Sequence, residues 1–412
     1  MRDNGLYAAV LGIQSPWKVV EVDLRAEQEE VYVTVGTASG TRFRCPRCDK
    51  VAPGYDSRRR TWRHLDTCQF TTFVVADVPR VECAEHGVVQ IVVPWAEPGS
   101  GFTSLMESLI ISWLREASIS AVARRMRLSW DEIDCVMQRA VRRGLERRKL
   151  EEIKHIGVDE TSFQKRHEYV TVVSDLERGR VLHVADDRKA ESLDSFWALL
   201  TPEQLSEIQA VAMDMCAAYV RSVRDHVADA DSKICFDRFH VAKLLNDAVS
   251  EVRKRENREL SEAGYYAPKG TKYVWAQNPE NMPRERRVVF DLLRDSTLKA
   301  AKAWALKDAA RWLWNYVRRG WALKMWTRWI AWAMSSKLEP MKRAARTIRA
   351  HLWGIVNAIV MRVTNAGAES INAKIQWIKK QACGFRSRER FRNAIYFHCG
   401  GLDMSPATHT TS

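Results

Sequence analysis

The chain has 412 residues, with 65 Lys plus Arg against 51 Asp plus Glu and a formal net charge of +14. That length accommodates several domains with cores of their own, and the basic excess favours a polyanionic partner, nucleic acid before an anionic membrane surface. No apolar run reaches the ~18 residues of a membrane span, Met1-Arg-Asp-Asn-Gly lacks the apolar centre of a signal peptide, and nine cysteines make no disulfide framework, so a cytoplasmic protein is expected.

Near the N-terminus, Lys18–Leu24 and Glu30–Val35 alternate apolar and polar residues as short strands do, and strand-like pieces recur at Phe70–Val75 and Val78–Glu82. Two knuckles accompany them, Cys45-Pro-Arg-Cys48 and Cys83-Ala-Glu-His86. Paired knuckles let four ligands meet one tetrahedral zinc ion, so residues 1–95 are expected to form a β-rich domain holding structural Zn²⁺ through Cys45, Cys48, Cys83 and His86. The gap between the pairs calls for a hairpin, and His64 and Cys68 compete as ligands. Arg58, Arg59 and Arg60 belong to a basic run around the first knuckle. Most such runs are solvated faces, but one built on a metal knuckle suits phosphate.

Pro94, Pro98, Gly99 and Gly101 read as a linker. Ser104–Arg115, Ile119–Met126 and Trp130–Gly144 then carry helical periodicity. Small Ala123 on an inner face, a break at Leu128-Ser129 and Ser129 as an N-cap fit a helix-turn-helix within residues 102–150. Its second helix would enter a major groove, with Arg124, Arg125 and Arg127 near the phosphates. A plain helical bundle is the alternative.

Ile153-Lys-His-Ile-Gly-Val-Asp159-Glu is a strand that climbs out of a core and ends in carboxylates, where charge is costly without a cation nearby. Strands at 168–176 and 180–186 follow through tight turns, the first turn being 164–167. A helix over 191–200, a strand 210–215 bearing Asp214, a helix 217–228, a strand 233–239 and a helix from Val241 come next. Three antiparallel strands followed by helix–strand–helix–strand is the plan of the ribonuclease H-like fold, in which Asp159 and Asp214 end side by side. The expected α/β core is therefore residues 153–245 joined to 366–400, where a third carboxylate, Glu369, stands in Asn365-Ala-Gly-Ala-Glu369-Ser-Ile-Asn372-Ala-Lys374. Glu160, Asp175 and Asp186 read as solvated or hairpin positions. Residues 246–365 form a helical, Trp-rich insertion; Trp304, Trp312, Trp314, Trp321, Trp326, Trp329 and Trp332 fit a core better than base-stacking platforms. A disordered tail is expected over 401–412.

Asp159, Asp214 and Glu369 in this order, behind a zinc knuckle and a helix-turn-helix, resemble a DDE transposase of a bacterial insertion sequence, most closely the ISL-three family. Gly157-Val-Asp159-Glu, Phe236-Asp237-Arg-Phe239-His240-Val and the run from Glu369 to Arg386 carry the resemblance. The family's Glu-Gly-x-Asn has Ser370 in place of the glycine here. The likeness implies strand cleavage and transfer at terminal inverted repeats, on two Mg²⁺ (or Mn²⁺) ions held by the three carboxylates. Asn372 and Lys374 would contact DNA near the scissile phosphate. His240, in a Cys/Asp-x-x-His element, either reaches that phosphate or merely pairs with Asp237 at a helix start. Synapsis of two DNA ends implies a dimer or higher on DNA. Two other functions fit the same residues: a non-catalytic zinc-finger and helix-turn-helix regulator, and a nuclease of the same fold that does not join ends.

Overall fold

Alternation of β-branched and polar residues makes the N-terminal region a sheet: along Glu30–Thr37, Val31, Val33 and Val35 are buried while their neighbours are not. The computed structural model describes residues 3–164, 168–187, 189–265, 272–296, 298–363 and 366–406, and the chain divides into two compact units. The first contains residues up to Arg148 together with those from Leu402; the second is Lys149–Gly401.

In the first unit, helix α1 (Asp3–Val10) precedes strands β1 (Trp17–Arg25), β2 (Glu30–Thr37), β3 (Phe43–Arg44), β4 (Val51–Ala52), β5 (Gly54–Arg63), β6 (Thr71–Cys83) and β7 (Gly87–Gln90). The main sheet runs β1-β2-β6-β5 with β7 also on β6, and only the β2–β6 pair is parallel. The two strands expected at 70–75 and 78–82 are one continuous β6. Pro79 does not interrupt it, because pairing with β2 stops at Ala76 and no ladder bond to β2 is asked of residue 79.

Residues 94–101, expected as a linker, are instead a packed connection. Trp95 and Ala96 join the sheet core, and Trp95 meets Trp17 and Trp62 edge to face. Ser100 hydrogen-bonds the buried Glu107. The aromatic and the buried serine outweigh the flexible composition. Helices α2 (Ser104–Glu116), α3 (Ile119–Met126) and α4 (Trp130–Arg147) follow, N-capped by Thr103, Ser118 and Ser129, the last in a capping box with Glu132. The described part of the expected tail is ordered against α4. Arg143 donates to the Met404 carbonyl, and a Cβ on Gly144 would lie 2.7 Å from Leu402 Cβ, so only glycine admits the segment. Residues 407–412 lie outside the described residues.

The second unit opens with β8 (His155–Gln164), β9 (Glu168–Asp175), β10 (Arg180–Asp186), α5 (Ala190–Trp197), α6 (Pro202–Glu207), β11 (Ala210–Met213), α7 (Ala217–His226), α8 (Ala230–Lys233) and β12 (Ile234–Phe236). Their order is β10-β9-β8-β11-β12, antiparallel through β8 and parallel from β8 to β12. All of β11 and β12 is buried, as strands covered on both faces must be. The turn expected at 164–167 lies outside the described residues beyond Gln164. Asp175, expected as solvated or hairpin, caps the turn through the Glu177 and Arg178 amides yet is buried, paired with Arg178 and Arg180.

Helices α9 (Arg238–Glu262), α10 (Lys272–Ala276), α11 (Arg284–Arg294), α12 (Lys299–Trp312), α13 (Arg319–Ser335), α14 (Glu339–Ala350), α15 (Leu352–Met361), α16 (Ala366–Gln381) and α17 (Arg388–Cys399) complete it. The expected boundary at 245/246 falls inside α9, and one core runs from Ile156 and Phe236 through Leu245 to Trp304, Trp326 and Ile355. Buried Asn357 clamps α15 to the sheet: Nδ2 donates to the Asp231 and Ile234 carbonyls (2.8 and 2.9 Å), and Oδ1 accepts from Arg319 (2.6 Å). Asn357→Ala strands these partners and is expected to cost about 2–4 kcal/mol, since each unsatisfied buried group costs roughly 1–3. Equilibrium denaturation checks this; an unchanged midpoint would show that the clamp carries no stability.

Candidate active site and metal centre

The first site is a cluster of four side chains at the tip of the β6–β7 hairpin. Cys45 and Cys48 come from the turn between β3 and β4, Cys83 ends β6, and His86 lies in the turn into β7. Cys45 Sγ is 3.7 Å from His86 Nδ1, Cys48 Sγ 3.6 Å from Cys83 Sγ, and Cys83 Sγ 3.5 Å from His86 Nδ1. A tetrahedron with Zn–S near 2.3 Å and Zn–N near 2.0–2.1 Å has edges of about 3.5–3.8 Å, so the residues fit structural zinc. Burial raises the Cys45 thiol, but the amides of Arg47 and Cys48 outweigh it and bring the group down to about 6. The competing candidates lie elsewhere. His64 is buried, kept neutral by desolvation with its pKa lowered to about 4, and bonded to Thr103 Oγ1; Cys68 is exposed.

Strand geometry divides the three consecutive arginines. Neighbours on β5 face opposite ways, so Arg59 lies by Asp77 (3.8 Å) while Arg60 reaches the Ser100 carbonyl, and Arg58 is left exposed. In the helical part, Arg124 and Arg125 are exposed, Arg125 lying over Trp113 at 4.4 Å, and Arg127 is 3.8 Å from Glu29. Arg127 takes the left-handed backbone (φ 53°) that ends α3, one residue before the expected break.

The acidic residues gather at one end of the second unit's sheet. Parallel pairing of β11 with β8 sets Ala210, Val211 and Ala212 opposite His155, Ile156 and Gly157. Carried two residues further, that register sets Asp214 beside Asp159. The β11–β12 pairing, Val211 with Ile234 to Met213 with Phe236, carried one residue further sets Asp237 beside Asp214. The middle of β8, which runs on past the strand end expected at Asp159-Glu160, and the residues just after β11 and β12 thus present a row of aspartates. Asp214 Oδ1 accepts from the Cys216 amide (3.0 Å), a turn that starts α7. Asp237 is buried at the N-terminus of α9, one turn before His240.

Glu369 arrives on α16, which lies along β8. Asn372 Nδ2 donates to Asp159 Oδ2 (2.6 Å), Gln376 Nε2 to Thr161 Oγ1 (2.7 Å), and Lys379 Nζ to the Ser162 carbonyl (2.8 Å). Residues 369, 372, 376 and 379 share one helical face, so these bonds set the direction of Glu369. Asn372, expected at DNA, is thus spent on Asp159, and Lys374 donates to the His398 carbonyl (2.6 Å). Desolvation pushes the Asp159 carboxyl above its ordinary range. The Glu160 amide and His240 pull it back, while Asp214 and Glu369 push further. Glu369 is raised likewise, by burial and then by Asp237, with His240 opposing. Asp159 therefore feels both of the other predicted carboxylates, although the Cys/His cluster is the only group among the described residues whose ligand atoms all lie within 4.8 Å. Two ions about 3.5–4 Å apart would spread their ligands wider than that.

Sequence reasoning missed the roles of Gln376 and Lys379, which only a helix laid on β8 makes visible. It also missed Lys307, which lines a cavity of about 500 Å³ beside Asp237 and Glu369. Its ammonium donates to Asn246 Oδ1 and the Trp275 carbonyl, and desolvation lowers it to about 8. One lysine among the several charged residues of α12 carries no signal of that kind.

Comparison with known proteins matches each part of the chain. Residues 156–395 match a family described as transposase, 92–141 the helix-turn-helix domain of transposase family ISL3, and 41–86 the zinc-finger of transposase IS204/IS1001/IS1096/IS1165. The chain is 27% identical to the transposase for insertion sequence element IS1557 of Mycobacterium tuberculosis, over 94% of this chain and 93% of that one. It is also 27% identical to the transposase for insertion sequence element IS1001 of Bordetella parapertussis, over 84% and 85% of the two chains. No described helix is long and apolar enough to cross a membrane.

Proposed function

Because the chain belongs to the ISL3 family of transposases, we propose that it cuts and joins DNA with Asp159, Asp214 and Glu369 as the carboxylates of a ribonuclease H-like core. It is a transposase with a DNA-binding helix-turn-helix. The observation that carries the catalytic assignment is the strand register, which, carried two residues past the Ala212–Gly157 pair, aligns Asp214 with Asp159. The sheet order, antiparallel to β8 and parallel beyond it, supports the core assignment.

Asp159, Asp214 and Glu369 would together hold two Mg²⁺ or Mn²⁺ ions, which would supply neutralisation of the attacking and leaving oxygens of the phosphodiester. The chain's own residues prepare that site. Each Asp159 oxygen accepts one hydrogen bond, from Glu160 N–H or Asn372, and keeps a lone pair free. The charged form of the half-buried Asp159, set against two carboxylate neighbours, is costly as it stands, and a cation removes the cost. His240 stands close enough to influence both Asp159 and Glu369, and would donate to a non-bridging phosphate oxygen. On the other unit, α4 would lie in the major groove of the terminal inverted repeat with Arg124, Arg125 and Arg127 toward the backbone, and Arg58 would add a phosphate contact. Two ends held together require at least a dimer on DNA.

The test uses precleaved repeat ends with free 3′-hydroxyls and a plasmid target. Joined product is expected in Mg²⁺. Cleavage of intact ends without joining would leave a nuclease, and end binding with neither reaction would leave a DNA-binding regulator.

A further inference from the structure

Burial separates the tryptophans of the insertion into two kinds. Trp304, Trp326 and Trp329 lie in the core, and Trp329 Nε1 donates to the Leu306 carbonyl. Trp321 and Trp332 are 52% and 43% exposed, on the outer face of α13. Large aromatic surface left in water needs a reason when the same helix buries two other indoles. Between Trp321 and Trp332 on that face stand Lys324 and Arg328, both exposed, giving a stripe at steps of three and four residues. Trp321 and Trp332 are about 16 Å apart along the axis. Lys324 Nζ lies 5.1 Å from the Trp321 ring centre.

The charge around the stripe is one-signed. From Ala309 to Leu338 the sequence has no Asp or Glu. The acids bracketing that stretch are engaged by other cations, Asp308 by Arg311 and Glu339 by Arg346 and Lys342. Among the described residues neither Lys324 nor Arg328 forms an ion pair.

We propose that this stripe is a track for single-stranded DNA, with unpaired bases stacking on Trp321 and Trp332 and phosphates on Lys324 and Arg328. A second copy of the chain fits poorly, because a two-fold contact would set this basic face against itself. A membrane surface fits poorly too, since the apolar side of α13 is already packed in the core and the exposed indoles are interrupted by cations and do not form a continuous apolar face. Duplex DNA would use the cations but leave the indole faces idle, whereas every unpaired base offers a face to stack. The inference rests on the proposed transposase reaction, which exposes unpaired strands at each cut, but the binding it describes needs no chemistry.

The experiment is fluorescence anisotropy on the full-length chain, with labelled oligothymidine of about 20 nucleotides and a duplex of equal length. The Trp321→Ala/Trp332→Ala variant is expected to bind oligothymidine about tenfold or more weakly while duplex binding stays within about twofold. Lys324→Ala/Arg328→Ala should reduce the slope of log affinity against log salt by about 1.4, two phosphate contacts on a single strand. A thermal melt confirms folding; should the double variant melt early, Trp321→Ala alone carries the same expectation at smaller size. Unchanged oligothymidine affinity, or equal loss on both probes, overturns the proposal. So does sedimentation showing that the wild type self-associates without DNA and the tryptophan variant does not, or phosphatidylserine vesicles that bind only the wild type. Asp159→Asn separates the two readings: if no form of the protein joins DNA but oligothymidine binding still depends on the tryptophans, the reaction fails and the track stands.

Discussion

Asp159→Asn is expected to lower strand cleavage by about a thousandfold or more while leaving repeat-end binding intact, the loss of roughly 4 kcal/mol of transition-state stabilisation from a metal ligand. The side chain keeps its size, so α16 should stay docked through Gln376 and Lys379. A second readout comes from pH. Burial and the neighbouring carboxylates raise Asp159 above its ordinary value, so the folded chain binds that proton more tightly than the unfolded chain. Its contribution to metal-free stability is present in acid and is lost as pH rises through the raised value. The asparagine variant carries no such charge. Its metal-free melting temperature should match or exceed the wild type's near neutral pH, with the margin closing as pH falls through the raised value and gone below about 3.9. Undiminished cleavage would remove Asp159 from the reaction. A variant less stable at neutral pH would show that the carboxylate is held by structural partners instead of waiting for a cation.

The second large effect concerns zinc. Cys45→Ser, or prolonged chelation, is expected to lower zinc content from about one ion per chain and to unfold the knuckle locally, because zinc-finger peptides draw about 10–16 kcal/mol from their metal. Little else holds the segment. β3 and β4 are two residues each, and apart from them the loop is closed by Cys45 N–H to the Lys50 carbonyl, Asp49 N–H to the Cys45 carbonyl, the exposed Arg44 side chain on Asp49 and a Lys50–Glu85 ion pair. The sheet behind it has its own core around Trp62, Val74 and Val81 and should survive. Hydrogen exchange over residues 45–52 should therefore rise by orders of magnitude while β5 and β6 stay protected. A folded, slowly exchanging knuckle without metal would sink the zinc assignment.

Local patterns carried much of this molecule. Cys-x-x-Cys and Cys-x-x-His named all four members of the metal cluster, since a tetrahedral ion constrains ligand type and short spacing within one turn. Period-two and helical alternation located β1, β2, α2, α3, α4 and β8 to β12 to within a few residues, though not α1, β5 or β7, and Ser129 marked the start of α4 because an N-cap is chemistry between near neighbours. What needed the fold was every interaction between distant residues. Asn372 meets Asp159 across 213 positions, Arg143 holds the Met404 carbonyl across 261, and the three adjacent arginines on β5 part ways because a strand sends alternate side chains to opposite faces. The apparent linker at 94–101 and the tail at 402–406 have flexible compositions, yet a buried tryptophan and an arginine placed by other elements give them partners. Likewise seven tryptophans looked alike in sequence, and packing alone decided which are core and which meet solvent. The sequence by itself determined the chemistry each residue could offer and the local shape around it. Tertiary structure decided which offers are taken up, because burial and hydrogen-bond partners belong to the packed chain and not to its neighbours in sequence.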